Sequence, residues 1–141
     1  MAMAKQRIVV IEDEQDVRQL LRRRLQAHRF EVWEAANGLE GVAVVKTIDP
    51  DLVIIDLNLP GLDGIEVYRQ IRFEMERKIP ILFITALSAS QTIQESSLQL
   101  IALTKHDVTL EGPYRVLGKP YDHKELIALV EEMLRENRQT D

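Results

Sequence analysis

Apolar positions along this chain fall into two alternating patterns, short unbroken runs and longer stretches with helical spacing. Arg7 to Ile11 (RIVVI) is β-branched and ends abruptly in Glu12-Asp13-Glu14, which predicts a buried strand with an acidic cluster at its end. Val17, Leu20, Leu21, Leu25 and His28 then recur at helical spacing over 14–28, with Arg18, Arg22 and Arg23 on other faces as a solvated arginine run. Phe30 to Ala35 alternates as a second strand, and Asn37-Gly38 reads as a turn. Leu39, Val42, Ala43 and Val45 then mark a helix ending near Asp49-Pro50.

The pattern repeats in the second half. The run DLVIID (Asp51 to Asp56) is a third strand, followed by the loop Leu57 to Gly64 and a helix carrying Ile65, Val67, Tyr68, Ile71 and Phe73. Ile79 to Ala86 is the fourth strand. Helical composition returns from Ser88, a plausible cap, to Leu103; Thr104 to Pro113 breaks that rhythm, and Tyr114 to Gly118 reads as the fifth strand. Asp122 caps a last helix with the stripe Leu126, Ile127, Val130, Met133 and Leu134.

Five βα alternations with continuously apolar strands predict an α/β fold, a doubly wound, five-stranded parallel sheet of flavodoxin-like (βα)5 form with helices on both faces. A length of 141 residues predicts a single domain, 1–141, with a core over about 7–136 and frayed ends at 1–5 and 137–141. Hydrophobic residues at 45% beside 29% charged ones suit a globular protein and set disorder aside. The net charge of -5 supplies no global field to attract nucleic acid or anionic lipid. Absence of cysteine removes disulfides, thiolate metal sites and a cysteine nucleophile. With no long apolar run or signal-peptide core, the expectation is a cytoplasmic protein without membrane contact.

In a parallel α/β sheet the functional crevice lies at the carboxyl ends of the strands. Glu12 and Asp13 follow strand one, Asp56 ends strand three, Thr85 lies at the end of strand four, and Lys119-Pro120 follows strand five. Each has a bland explanation alone: Asp13 as a helix cap, Thr85 as a β-former, Lys119 as a surface lysine. Their coincidence on one edge is harder to dismiss. Carboxylates brought together repel, and a hard divalent cation with oxygen ligands, plus a nearby ammonium, is the simplest relief.

Taken together, IEDE after strand one, DLVIIDLNLPGLDGIE around strand three, ITALS after strand four and GKPYD after strand five resemble the receiver domain of two-component response regulators, over about Arg7 to Arg135. The resemblance implies that Asp56 accepts a phosphoryl group from a phosphohistidine on a sensor histidine kinase or phosphotransfer protein. It implies Mg²⁺ as cofactor, held by Asp13, Asp56 and the backbone carbonyl of Asn58, with Glu12 acting through bound water. Thr85 and Lys119 would contact the phosphoryl oxygens, and the Lys119-Pro120 bond would be cis. Such a chain is not an enzyme in the ordinary sense, since it catalyses only its own phosphoryl transfer and dephosphorylation. It switches a protein-interaction surface, as a monomer or weak dimer, and binds no nucleic acid directly.

Two features depart from the family. Val116 stands three positions before Lys119, where the family usually has an aromatic residue. The stretch from Thr85 to Gly112 is longer than usual, with the surplus between Ser88 and Glu111: either the fourth helix is extended by about three turns, at 3.6 residues per turn, or TKHDVTLEG forms an extra loop or hairpin. These departures keep a second reading open, a receiver-like interaction module that is never phosphorylated. A dehalogenase-type phosphatase would want an Asp where Asn58 stands, and a flavin carrier would not place EDEQD in its first loop. His28, His106 and His123 are scattered in sequence, and Trp33 reads as core or sheet surface.

Overall fold

The computed structural model describes residues 4–57, 59, 64–86 and 113–140. Asn58, the Pro60-Gly61 and Asp63 turn residues, His106, and the helix, cap and surplus expected over 88–111 therefore lie outside the described residues.

Along the chain run β1 (Arg7–Ile11), α1 (Gln15–Ala27), β2 (Glu31–Ala35), α2 (Gly38–Ile48), β3 (Leu52–Asp56), α3 (Gly64–Glu74), β4 (Ile81–Ala86), β5 (Tyr114–Lys119) and α4 (His123–Thr140). The strands form one sheet in the order β2-β1-β3-β4-β5, and every pairing is parallel. The unbroken apolar runs are explained by their alternation between two cores. Val9, Ile11, Val53, Ile55, Ile81 and Phe83 face α2 and α3, whereas Ile8, Val10, Leu52, Ile54, Leu82 and Ile84 face α1 and α4. A strand buried on both faces has no position to spare for a polar side chain until it ends.

Several local details differ from the sequence pattern. Asn37 is not a turn residue but the N-cap of α2: its side chain accepts from the Glu40 N–H at 2.9 Å, while the Glu40 carboxylate accepts from the Ala36 N–H at 3.1 Å. β4 starts at Ile81 rather than Ile79, because Pro80 has no N–H to give the ladder; Ile79 is nonetheless fully buried. Leu20, Leu39 and Phe73 carry helical spacing yet stay exposed, Phe73 at 88%. They lie beside the buried stripes rather than in them. α4 runs to Thr140. Trp33 is half-buried against the α2/α3 core, with the Arg7 guanidinium 5.8 Å from its ring centroid.

The order of strands places the switch in winding direction between β1 and β3, which opens a crevice at their carboxyl ends. α2 approaches closely there: a Cβ at Gly41 would overlap the Ile11 side chain, so only glycine lets this helix lie against the end of β1.

Candidate functional site

Each polar group of the site is delivered by a strand end. Glu12 continues β1 by one residue, its N–H donating to the Ala35 carbonyl at 3.0 Å. Asp56 closes β3 opposite Ile84, and the Leu57 N–H donates to the Ile84 carbonyl at 3.0 Å, fixing this strand end against β4. Thr85 pairs with Gly118, and Lys119 with Ala86. The Lys119–Pro120 peptide is cis, as the resemblance implied.

The structure brings Glu12, Asp13, Asp56 and Lys119 together. One carboxylate oxygen from each acidic residue lies within 4.8 Å of the others. The Lys119 ammonium donates to Asp56 Oδ2 at 3.4 Å and stands 4.0 Å from Glu12 Oε1. Glu12 is 2% exposed and Asp56 7%, whereas Asp13 faces solvent. Thr85 is likewise buried, on the neighbouring strand end. Asn58 lies outside the described residues, so its carbonyl has no observed place in the cluster.

Glu12 is the electrostatic centre of strain. Neither of its oxygens meets a hydrogen-bond donor among the described residues. Burial pushes its carboxyl up to about 8; Asp56, able to share a proton with it and repelling its charge, adds to the rise, Asp13 contributes further, and Lys119 opposes it. Tyr121 lines the same small cavity as Glu12, Asp56 and Lys119, and burial pushes its phenol up as well.

The sign of the resulting pH dependence is set by the rise. The unfolded Glu12 titrates near 4.5 and the folded one near 8, so between those values the folded protein holds the extra proton and its stability falls as pH rises. In a chelator, urea unfolding midpoints are therefore expected to decline from pH 5 to pH 8, and Glu12→Gln is expected to remove most of that slope. A slope equal in the two proteins would contradict the assignment.

Hard oxygen donors, a buried carboxylate with no donor among the described residues, and an exposed Asp13 open to water fit a divalent cation that keeps part of its hydration. Gly64 shapes the approach from below. A Cβ there would lie 2.8 Å from the Asp56 carbonyl oxygen and 2.9 Å from Leu57 Cα, both backbone atoms that cannot swing aside. Gly64→Ala is expected to cost about 1–3 kcal/mol in chemical denaturation, by overpacking. A neutral result would show that α3 can shift freely relative to the acceptor strand.

One expectation needs correction. The arginine run is not simply solvated, because Arg18 is half-buried and donates to the Glu12 and Asp13 carbonyls. Its spacing five residues after Asp13 looks like any helix surface position, so no sequence signal marks it. His28 and His123, far apart in sequence, pack with ring centroids 5.5 Å apart and planes tilted by 50° where α1 meets α4. Val116 is buried opposite Phe83, and Tyr114, two residues earlier in β5, meets the Phe83 ring edge-on at 6.2 Å.

A family model described as response regulator receiver domain matches residues 8–131. The chain is 30% identical over 132 residues to sporulation initiation phosphotransferase F of Bacillus subtilis (strain 168), covering 94% of this chain and 96% of that one. It is 36% identical over 134 residues to the probable transcriptional regulator ycf27 of Porphyridium aerugineum, covering 94% and 50% respectively. The chain spans about half the length of most curated relatives it matches. Among solved structures, the fold is shared with the chemotaxis protein CheY4 of Vibrio cholerae, at TM-score 0.75 and 24% identity over 92% of this chain and 99% of that one. A response regulator receiver domain protein from Clostridium thermocellum gives TM-score 0.79 at 21% identity, covering 96% and 99%. Among the described residues no helix is long and apolar enough to cross a membrane.

Proposed function

The chain belongs to the family of response regulator receiver domains, and on that premise we propose that Asp56 is its phosphoryl acceptor and Lys119 and Thr85 its phosphoryl-contacting groups. The observation that carries this reading is the Lys119 ammonium 3.4 Å from Asp56 Oδ2 at the β1/β3 crevice, with Glu12 and Asp13 beside it. An Asp56 oxygen attacks the phosphorus of a phosphohistidine; the new O–P bond forms as the P–N bond breaks, and the imidazole leaves with the electron pair. The donor is a sensor histidine kinase or a phosphotransfer protein, the partners with which this family works.

Phosphoryl transfer asks mainly for alignment and for positive charge on the equatorial oxygens. Lys119 supplies one such charge from the end of β5, and the Thr85 hydroxyl offers a donor from the end of β4. Mg²⁺, when bound, adds positive charge among the carboxylates and the transferred oxygens. Asp13 and Asp56 would hold it directly and Glu12 through water, consistent with the buried, donor-free Glu12 and the exposed Asp13. The chain's chemistry is confined to its own acyl phosphate, formed at Asp56 and hydrolysed there, and the product is a changed protein-binding surface.

Incubation with Mg²⁺ and acetyl phosphate as small phosphodonor tests the reading by intact mass. Wild type is expected to gain one phosphoryl group and Asp56→Ala none. A gain that survives Asp56→Ala would move the acceptor elsewhere, and no gain in wild type would leave the non-phosphorylated interaction module as the reading.

A further inference from the structure

We propose that Arg18 is a positioning residue for the cation site, holding the peptide groups that carry Glu12 and Asp13. β1 ends at Ile11 and α1 begins at Gln15, so both carboxylates ride on a connector of only a few residues. The helix start does little to fix it, since Glu14 at the N-cap position makes no side-chain capping bond. Arg18, one turn into α1, reaches back instead. Its Nη1 donates to the Glu12 carbonyl at 2.8 Å and, more weakly, to the Asp13 carbonyl at 3.4 Å.

The guanidinium is itself held. Its Nε lies 3.8 Å from Glu34 Oε1 on β2, its side chain is only 16% exposed, and Arg22 Nη1 anchors the other Glu34 oxygen at 3.0 Å. The guanidinium faces the connector with Nη1 and Glu34, at ion-pair distance, with Nε, two directions that the single nitrogen of an ammonium on a shorter reach does not serve together. With two successive carbonyls tied down on the α1 side, the rotation of the two peptide planes that aim the Glu12 and Asp13 side chains is restricted. Groups that orient ligands in this way govern metal affinity almost as strongly as the ligands.

Charge and positioning predict opposite signs. Arg18 places a cation near an acidic site, so its loss as a mere charge would tighten Mg²⁺ binding. Its loss as a clamp would weaken it. The inference rests on the proposed Mg²⁺-dependent acceptor site, and its test separates the two. Calorimetric titration of the unphosphorylated protein with Mg²⁺ is expected to show binding to wild type, and roughly 10-fold weaker binding to both Arg18→Gln and Arg18→Lys. Arg23→Gln, which removes an exposed charge from α1 without touching Glu34 or the connector, is expected to bind as wild type does or slightly more tightly. With acetyl phosphate, the phosphorylation rate of the Arg18 variants is expected to recover at saturating Mg²⁺, an effect on the cation requirement rather than on the transfer itself.

Unchanged or tighter binding in Arg18→Lys would overturn the positioning role while leaving the acceptor reading intact. Absence of Mg²⁺ binding in wild type would overturn the acceptor reading itself, and this inference with it. Arg18→Lys preserves charge and most of the volume, so it decides the question if Arg18→Gln fails to fold.

Discussion

Asp56→Asn is expected to melt at a higher temperature than wild type in Mg²⁺-free buffer near pH 8, although it has lost the proposed phosphoryl acceptor. Wild type holds two buried carboxylates, Glu12 and Asp56, against one lysine. Asparagine keeps the shape of Asp56, removes one of the two negative charges, and leaves Lys119 paired one-to-one with Glu12. Its amide also presents N–H donors to a Glu12 carboxylate that has none among the described residues. Asp56 contributes to the Glu12 rise both by its ability to share a proton with it and by charge repulsion, second and third to burial. Relieving a rise of about one unit is worth about 1.4 kcal/mol. The gain is set against the lost Lys119–Asp56 contact, so we expect about 1–2 kcal/mol, or about 3–6 °C for a domain of this size. It should shrink towards pH 5, where Glu12 carries its proton in wild type too. A lower melting temperature at pH 8, or the same shift at both pH values, would contradict this account of the site.

Lys119→Met should show the reverse. The methionine keeps the buried stem but removes the charge that lowers Glu12 and pairs with Asp56. Loss of a preorganised cation at a developing phosphoryl charge costs about 10²–10³ in rate in comparable sites, so phosphorylation by acetyl phosphate at saturating Mg²⁺ is expected to fall by that order. Stability should fall by about 1–2 kcal/mol at pH 8, less than for a wholly buried pair because the lysine is 32% exposed. At pH 5 the cost should be smaller, because the protonated Glu12 no longer needs a counter-charge and only the Asp56 pairing is lost. A phosphorylation rate close to wild type would remove Lys119 from the transfer step, and a stability loss independent of pH would mean that its role is packing.

The pair of predictions turns on one energetic trade. The acidic cluster costs the folded chain stability, and on the proposed function the same crowding would prepare it to take up a cation and, with it, a phosphoryl group. Placing the cluster at rigid strand ends makes the trade possible. The two cores hold Ile11, Ile55 and Ile84 fully or almost fully buried immediately behind the site, so the carboxylates cannot relax apart by moving their backbones.

Much of this was legible in the residues because it is local. Unbroken apolar runs of strand length mark β1, β3 and β4, since both faces of a parallel strand are buried. Every run stops at a charged or polar residue, and parallel winding puts all such stops on one edge, which is why Glu12, Asp13, Asp56, Thr85 and Lys119 could be gathered without coordinates. What only the tertiary structure decided is non-local. The strand order sets β1 against β3 and turns a shared edge into contacts of 3.4–4.0 Å around Lys119. Burial on all sides, and not residue type, drives the Glu12 carboxyl to about 8. The return of Arg18 onto its own connector and the meeting of His28 with His123 depend on how α1 lies against β2 and α4, which helical spacing does not encode. Period and polarity dictate which face an element buries; register, tilt and strand order dictate which charges on that face must share a site.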